Sequence, residues 1–152
     1  VNGDNGAVYS DLKPSNIGLC CQGHAKLFDF GLSVVGEVHT SSSETLAGTK
    51  RFMAPEVCRG MPYNEKVDVY SFGVVLWQIC TLRKPFAGMS EAAHFQQVVL
   101  DGLRPPLDPR WSPGLSTVVH SCWHPDPNSR PTMLAVRQKL REVFLAGEGY
   151  SI

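Results

Sequence analysis

The chain has 152 residues, 43% of them hydrophobic, which is enough apolar material for one ordinary core and excludes a disordered chain. Fourteen Lys and Arg balance fourteen Asp and Glu with no dense basic run, so charge gives no reason to expect a nucleic-acid or anionic-membrane partner. Cys20, Cys21, Cys58, Cys80 and Cys122 are odd in number and lack a repeated short spacing, which argues against a disulfide framework or a zinc site and for a reducing, cytoplasmic compartment.

In chain order, the first informative stretch is "SDLKPSN", residues 10–16, an acid, a base and an amide on one short loop. Two short apolar runs, "IGLCC" and "AKLFD", flank Gln22, Gly23 and His24 and predict a β-hairpin. The second run leads into Asp29-Phe30-Gly31, a carboxylate at a strand end followed by a permissive glycine. Thr40 to Thr45, "TSSSET", reads as an exposed polar loop. Residues 65–81, "EKVDVYSFGVVLWQICT", are apolar nearly all round and suit a central buried helix; the longest apolar run, near Val74 to Cys80, is too short to span a bilayer. Residues 91–101 predict a second helix and 114–123 a third, separated by the stiff Pro-rich connection "LRPPLDPRWSP". A fourth helix is expected over residues 132–145, capped by Thr132, with Met133, Val136, Leu140, Val143 and Phe144 on one face.

The polar residues suggest phosphate chemistry. Asn16 and Asp29 offer the oxygen ligands that magnesium prefers, and magnesium keeps company with phosphates. Asp11 is left to receive a hydroxyl proton, and Lys13 supplies a compact positive charge for a phosphate in transit.

Five ordered motifs then carry a resemblance over roughly residues 7–146: "DLKPSN", "DFG", "GTKRFMAPE", "DVYSFGVVLW" and "CWHPDPNSRP". Together they resemble the C-terminal lobe of a eukaryotic protein kinase, of the serine/threonine type and its tyrosine-kinase-like branch. The resemblance implies a protein kinase-like fold, α+β overall, of which this chain supplies the mainly α lobe with a small β-hairpin. It implies Asp11 as catalytic base, Lys13 at the transferred phosphate, Asn16 and Asp29 as magnesium and nucleotide ligands, and Thr49 hydrogen-bonded to Asp11 and Lys13. ATP and Mg2+ are the implied cofactors, and proteins with Ser or Thr acceptors the implied substrates, since Lys13 with Gly48-Thr49 resembles serine/threonine kinases. Glu56 is expected to pair in the interior with Arg130, and Asp68 to accept backbone N–H groups from around Tyr9 and Ser10.

Departures accompany the matches. The family's His-Arg-Asp reads Tyr9-Ser10-Asp11, and Ser10 removes the cation that senses a phosphorylated activation loop, so control by that route is not expected. Gly18 stands where the family places a larger apolar residue under the adenine, and Ser15 replaces an acidic residue that some kinases use to favour basic substrates. "HPD", His124 to Asp126, also resembles the J-domain cochaperone loop, but Trp123 and Arg130-Pro131 fit the kinase pattern. No Gly-rich phosphate loop and no strand Lys with its helix Glu occur, so residues 1–152 are read as a partial kinase domain. From this follow weak Mg-ATP binding by the chain alone and poor cover over Val74, Val75 and Leu76. A noncatalytic, kinase-like protein-binding module is the competing class.

Overall fold

The long apolar stretch folds as helix α2, Lys66–Thr81, and the other helices pack on it. The structure is a computed structural model and describes residues 7–35 and 50–147. Thr40 to Thr45, Gly48 and Thr49 lie outside the described residues. Helix α1, Pro55–Cys58, precedes α2, while α3, Glu91–His94, α4, Pro113–Cys122, and α5, Met133–Leu145, follow it. Among the described residues no helix is long and apolar enough to cross a membrane.

Helix α4 lies against α2 because Gly73 lets it approach: a Cβ at Gly73 would stand 2.7 Å from Cys122 Cβ. Val74 and Leu76 therefore join Val118, Val119 and Cys122 in one core. This corrects the expectation of poor cover, since Val74, Val75 and Leu76 are all buried. The exposed apolar residues of this region lie further along, at Ile79 and Leu82. Leu82 adopts a left-handed conformation (φ 54°) and ends the helix, its N–H donating to Gln78 O at 2.8 Å.

The expected helix over 91–101 is a single α turn that continues as a π-helix, Phe95–Leu100. Side chains claim its carbonyls: Arg104 donates to Val98 O at 3.1 Å, and Arg59 donates to Val99 O. The Pro-rich connection is pinned across the helical base, with Trp77 Nε1 donating to Pro106 O at 2.8 Å and Arg104 Nε to Trp123 O at 3.0 Å. Ser112 and Thr132 cap α4 and α5 through Leu115 N (3.1 Å) and Ala135 N (3.2 Å). On α5 the buried stripe is narrower than expected: Val136 and Val143 are buried and Leu140 packs against the core, but Met133 and Phe144 are exposed. Residues 136, 140 and 143 share one helical face, whereas Phe144 lies a step further round and Met133 begins the helix at its capped end.

Two small antiparallel sheets sit at the other end. Strands β2, Ile17–Leu19, and β3, Ala25–Leu27, form the expected hairpin, with Ile17 opposite Leu27. Strands β1, Ala7–Val8, and β4, Val34–Val35, pair unexpectedly and close the segment containing Asp11 and Asp29 into a loop. Strands of two residues carry no periodicity to read.

Arg130 ties the helical base together. Only 2% exposed, it donates from Nη1 to Glu56 Oε1 (2.6 Å) and Lys66 O (3.0 Å), from Nη2 to Glu56 Oε2 (2.9 Å), and from Nε to His124 O (2.9 Å). Removing Glu56 strands a charge in the interior, so Glu56→Ala should cost about 3–5 kcal/mol in urea unfolding. Lys50→Met at the exposed Lys50–Glu91 pair (2.9 Å) should cost under about 1 kcal/mol.

His94 is buried edge-on against Phe86, ring centroids 5.1 Å apart. Burial holds its imidazole below the ordinary range, and the charges of Arg51, Lys50 and Arg104 push the same way. A depressed folded value means that the neutral ring contributes stability above the unfolded value, and that this is lost as pH falls through the folded one. Acidification from about pH 7 to about pH 5 should therefore lower the melting temperature less in His94→Gln than in the wild type.

Candidate active site

Strand β1 delivers Tyr9, Ser10 and Asp11 to the end of the helical base, where the Asp68 carboxylate in the first turn of α2 captures the backbone. Tyr9 N donates to Asp68 Oδ2 at 2.7 Å and Ser10 N to Oδ1 at 2.9 Å. Two successive N–H groups converge on one carboxylate because Ser10 is left-handed, with φ 67°. Burial raises the Asp68 carboxyl above its ordinary value, while these two bonds act in the opposite direction.

Lys13 is extended, and Pro14 opens a single 3-10 turn, Pro14–Asn16, that returns Asn16 towards Asp11. Asp11, 5% exposed, accepts at Oδ2 from Lys13 Nζ (2.7 Å) and Asn16 Nδ2 (2.9 Å). Asn16 Nδ2 also donates to Asp11 O at 3.0 Å, which commits the amide nitrogen and leaves its oxygen as a possible ligand. Asp11 Oδ1 is buried with no hydrogen-bond partner among the described residues. An unengaged carboxylate oxygen beside an engaged one is an acceptor awaiting a proton donor.

Asp29 follows β3 in a left-handed conformation (φ 58°) with its carboxylate exposed, Oδ1 accepting a long 3.3 Å bond from Gly31 N. The hairpin is fixed to the loop by Phe28 N donating to Asn16 O at 2.9 Å. The Tyr9 side chain makes the second link: Tyr9 donates its hydroxyl to Phe28 O and meets the Phe30 ring edge-on at 5.3 Å. Nothing in the sequence signals that bond, since Tyr9 and Phe28 are 19 positions apart. The structure therefore brings Asp11, Lys13 and Asn16 into one bonded set, fixes Phe28, the neighbour of Asp29, to it, and places Asp68 behind it. Glu56 and Arg130 lie in the helical base, and Thr49 is outside the described residues.

Among the described residues no three His, Cys, Asp or Glu side chains cluster as a metal cage. One amide and one carboxylate suit magnesium, which retains waters and takes phosphate oxygens as its remaining ligands.

The family model described as protein kinase domain matches residues 4–143. The chain belongs to the protein kinase family. Among its relatives are a probable serine/threonine-protein kinase of Dictyostelium discoideum, 38% identical over 82% of the chain, and two Arabidopsis thaliana proteins. These are the serine/threonine/tyrosine-protein kinase HT1, 37% identical over 93% of the chain, and the serine/threonine-protein kinase CTR1, 37% identical over 90%. The chain spans 8% of the Dictyostelium protein, 37% of HT1 and 17% of CTR1.

Removing the tyrosine hydroxyl alone tests the link in this kinase domain. Tyr9→Phe should cost about 1 kcal/mol of stability. Amide hydrogen exchange across Phe28 to Gly31 should quicken while α2 stays protected.

Proposed function

We propose that this kinase domain belongs to an enzyme that transfers the γ-phosphate of ATP to Ser and Thr hydroxyls of proteins. The observation that carries the reading is Asp11: Oδ2 is held by Lys13 and Asn16, while Oδ1 is buried and unpartnered among the described residues. A substrate hydroxyl donates to Oδ1, and as its oxygen attacks the γ-phosphorus the proton passes to Asp11. A new P–O bond forms, the bond to the bridging oxygen breaks, and ADP leaves with that electron pair. Lys13, beside Asp11, offsets negative charge on the phosphoryl group as it moves. Asn16 and Asp29 would hold magnesium, which when bound neutralises phosphate charge.

Serine and threonine acceptors are supported by Lys13 and by the names of the relatives. HT1 is also named for tyrosine, so phosphoamino-acid analysis of the labelled product is the measurement for that part of the reading.

Asp11→Asn keeps size and hydrogen bonding but removes the base. Turnover should fall at least ~100-fold with little change in ATP affinity. Near-normal phosphotransfer by this variant would overturn the assignment, and nucleotide binding without transfer in the wild type would point to a noncatalytic binding module.

A further inference from the structure

We propose that Cys20 and Cys21, adjacent at the turn of the β2–β3 hairpin, are a redox-active pair that closes into a disulfide by exchange with a low-molecular-weight disulfide such as glutathione disulfide. Both are free thiols, Cys21 exposed and Cys20 half-buried. The turn that presents them is closed by Gly23 N donating to Cys20 O at 2.9 Å, with Gly23 left-handed (φ 78°), which sets Cys21 at the outer corner. One step beyond the Leu19–Ala25 pair the ladder puts Cys20 opposite His24, Cys20 N donating to His24 O at 3.0 Å. Residues directly opposite share a face, and alternation brings Lys26 to that face as well. An imidazole and an ammonium on the face of a partly exposed thiol are surroundings that favour a thiolate, and a second thiol next in the chain is placed to resolve what the first forms.

The other three cysteines lack this setting. Cys122 is buried and Cys58 and Cys80 are half-buried; burial pushes the Cys58 thiol up to about 11 and the Cys122 thiol up to about 12, and raises that of Cys80. These three stay protonated at neutral pH and are poor nucleophiles.

In the exchange, the Cys20 thiol passes its proton to His24 and the sulfur attacks one sulfur of glutathione disulfide. A bond forms to Cys20, the S–S bond of the reagent breaks, and one glutathione leaves with the electron pair and takes a proton. The Cys21 thiolate then attacks the Cys20 sulfur, closes the Cys20–Cys21 bond and expels the second glutathione. The two cysteines are oxidised together, and one glutathione disulfide is reduced to two glutathione molecules.

Adjacent Cα atoms stand about 3.8 Å apart across a trans peptide, short of the roughly 4.4–6.8 Å that an ordinary disulfide spans. The ring is therefore strained and readily reduced, the property of a switch and not of a structural staple. Closing it turns the Cys21 side chain back from the corner onto Cys20 and loosens the turn that Gly23 holds. That turn lies on the chain between Asn16 and Asp29.

The full-length protein containing these residues, equilibrated with glutathione and glutathione disulfide at set ratios, quenched in denaturant with N-ethylmaleimide and mapped by mass spectrometry, tests the proposal. The wild type should yield a Cys20–Cys21 peptide that lacks two hydrogens and takes no N-ethylmaleimide, reverting under excess glutathione. Cys21→Ser should stop at a mixed disulfide on Cys20, and Cys20→Ser should react more slowly than either. His24→Gln should slow the wild-type reaction several-fold and leave its end point unchanged, which also reports an intact hairpin. Amides of residues 18–27 should exchange faster in the oxidised form while α2 stays protected. The pair is overturned if both thiols still take N-ethylmaleimide under excess glutathione disulfide, if the wild type accumulates only mixed disulfides, or if Cys58, Cys80 or Cys122 oxidises as readily. An unchanged rate in His24→Gln overturns the part given to the imidazole.

Discussion

The Arg130 guanidinium in the middle of the helical base is the interaction on which the rest of the structure depends. Its donors reach Glu56 in α1, Lys66 at the start of α2 and His124 after α4, and its own carbonyl accepts from Lys66 Nζ at 2.7 Å. The guanidinium also stands 5.1 Å from the centroid of Tyr70, as does that of Arg104. Burial pushes the Tyr70 hydroxyl up to about 12, so the ring remains neutral between the two cations. A charge this deep is tolerable only when its hydrogens are committed, and committing them fixes four segments relative to one another. The pair is therefore better understood as a device for one arrangement of the base than as a source of net stability.

That arrangement is transmitted to the site by a second carboxylate. Asp68 projects from the first turn of α2, where the helix terminus favours negative charge, and takes the backbone of Tyr9 and Ser10. The loop that carries Asp11 is thus held by the helix that Arg130 positions. Ser10 and Asp29 both adopt left-handed conformations without being glycine, and such residues persist where surrounding bonds over-determine them. At Ser10 the Asp68 bonds do this. At Asp29 the constraints come from Phe28, pinned on one side by Asn16 and on the other by Tyr9.

The replacement of the family's His and Arg by Tyr9 and Ser10 consequently has two different effects. Tyr9 is long enough to reach the Phe28 carbonyl, so it ties the loop that carries Asp11 to the segment that runs from β3 into Asp29. Ser10 brings no charge, and its Oγ is buried without a partner among the described residues. A neutral hydroxyl there offers a phosphate no counter-charge.

Much of this protein was legible before any coordinates. The order of "DLKPSN", "DFG", "APE" and "SRP" carried the family, and the apolar run through α2 announced a central helix, because local chemistry and helical periodicity are written in adjacent residues. Asp11, Lys13 and Asn16 share one loop, so a single 3-10 turn suffices to assemble them. What the sequence could not decide depended on distance through space. The short β1–β4 ladder, the π-helical turn held by two arginines and the cover over Val74 to Leu76 arise from elements remote in the chain. The same holds at the site: in the sequence Gly18 shows only a missing side chain, but the fold brings the edge of the Phe28 ring into the space that a side chain there would fill. Sequence determined which groups were available for chemistry, because composition and spacing are local. Tertiary structure decided which atoms remain free and which are engaged, because a hydrogen bond or a filled volume exists only where distant segments meet.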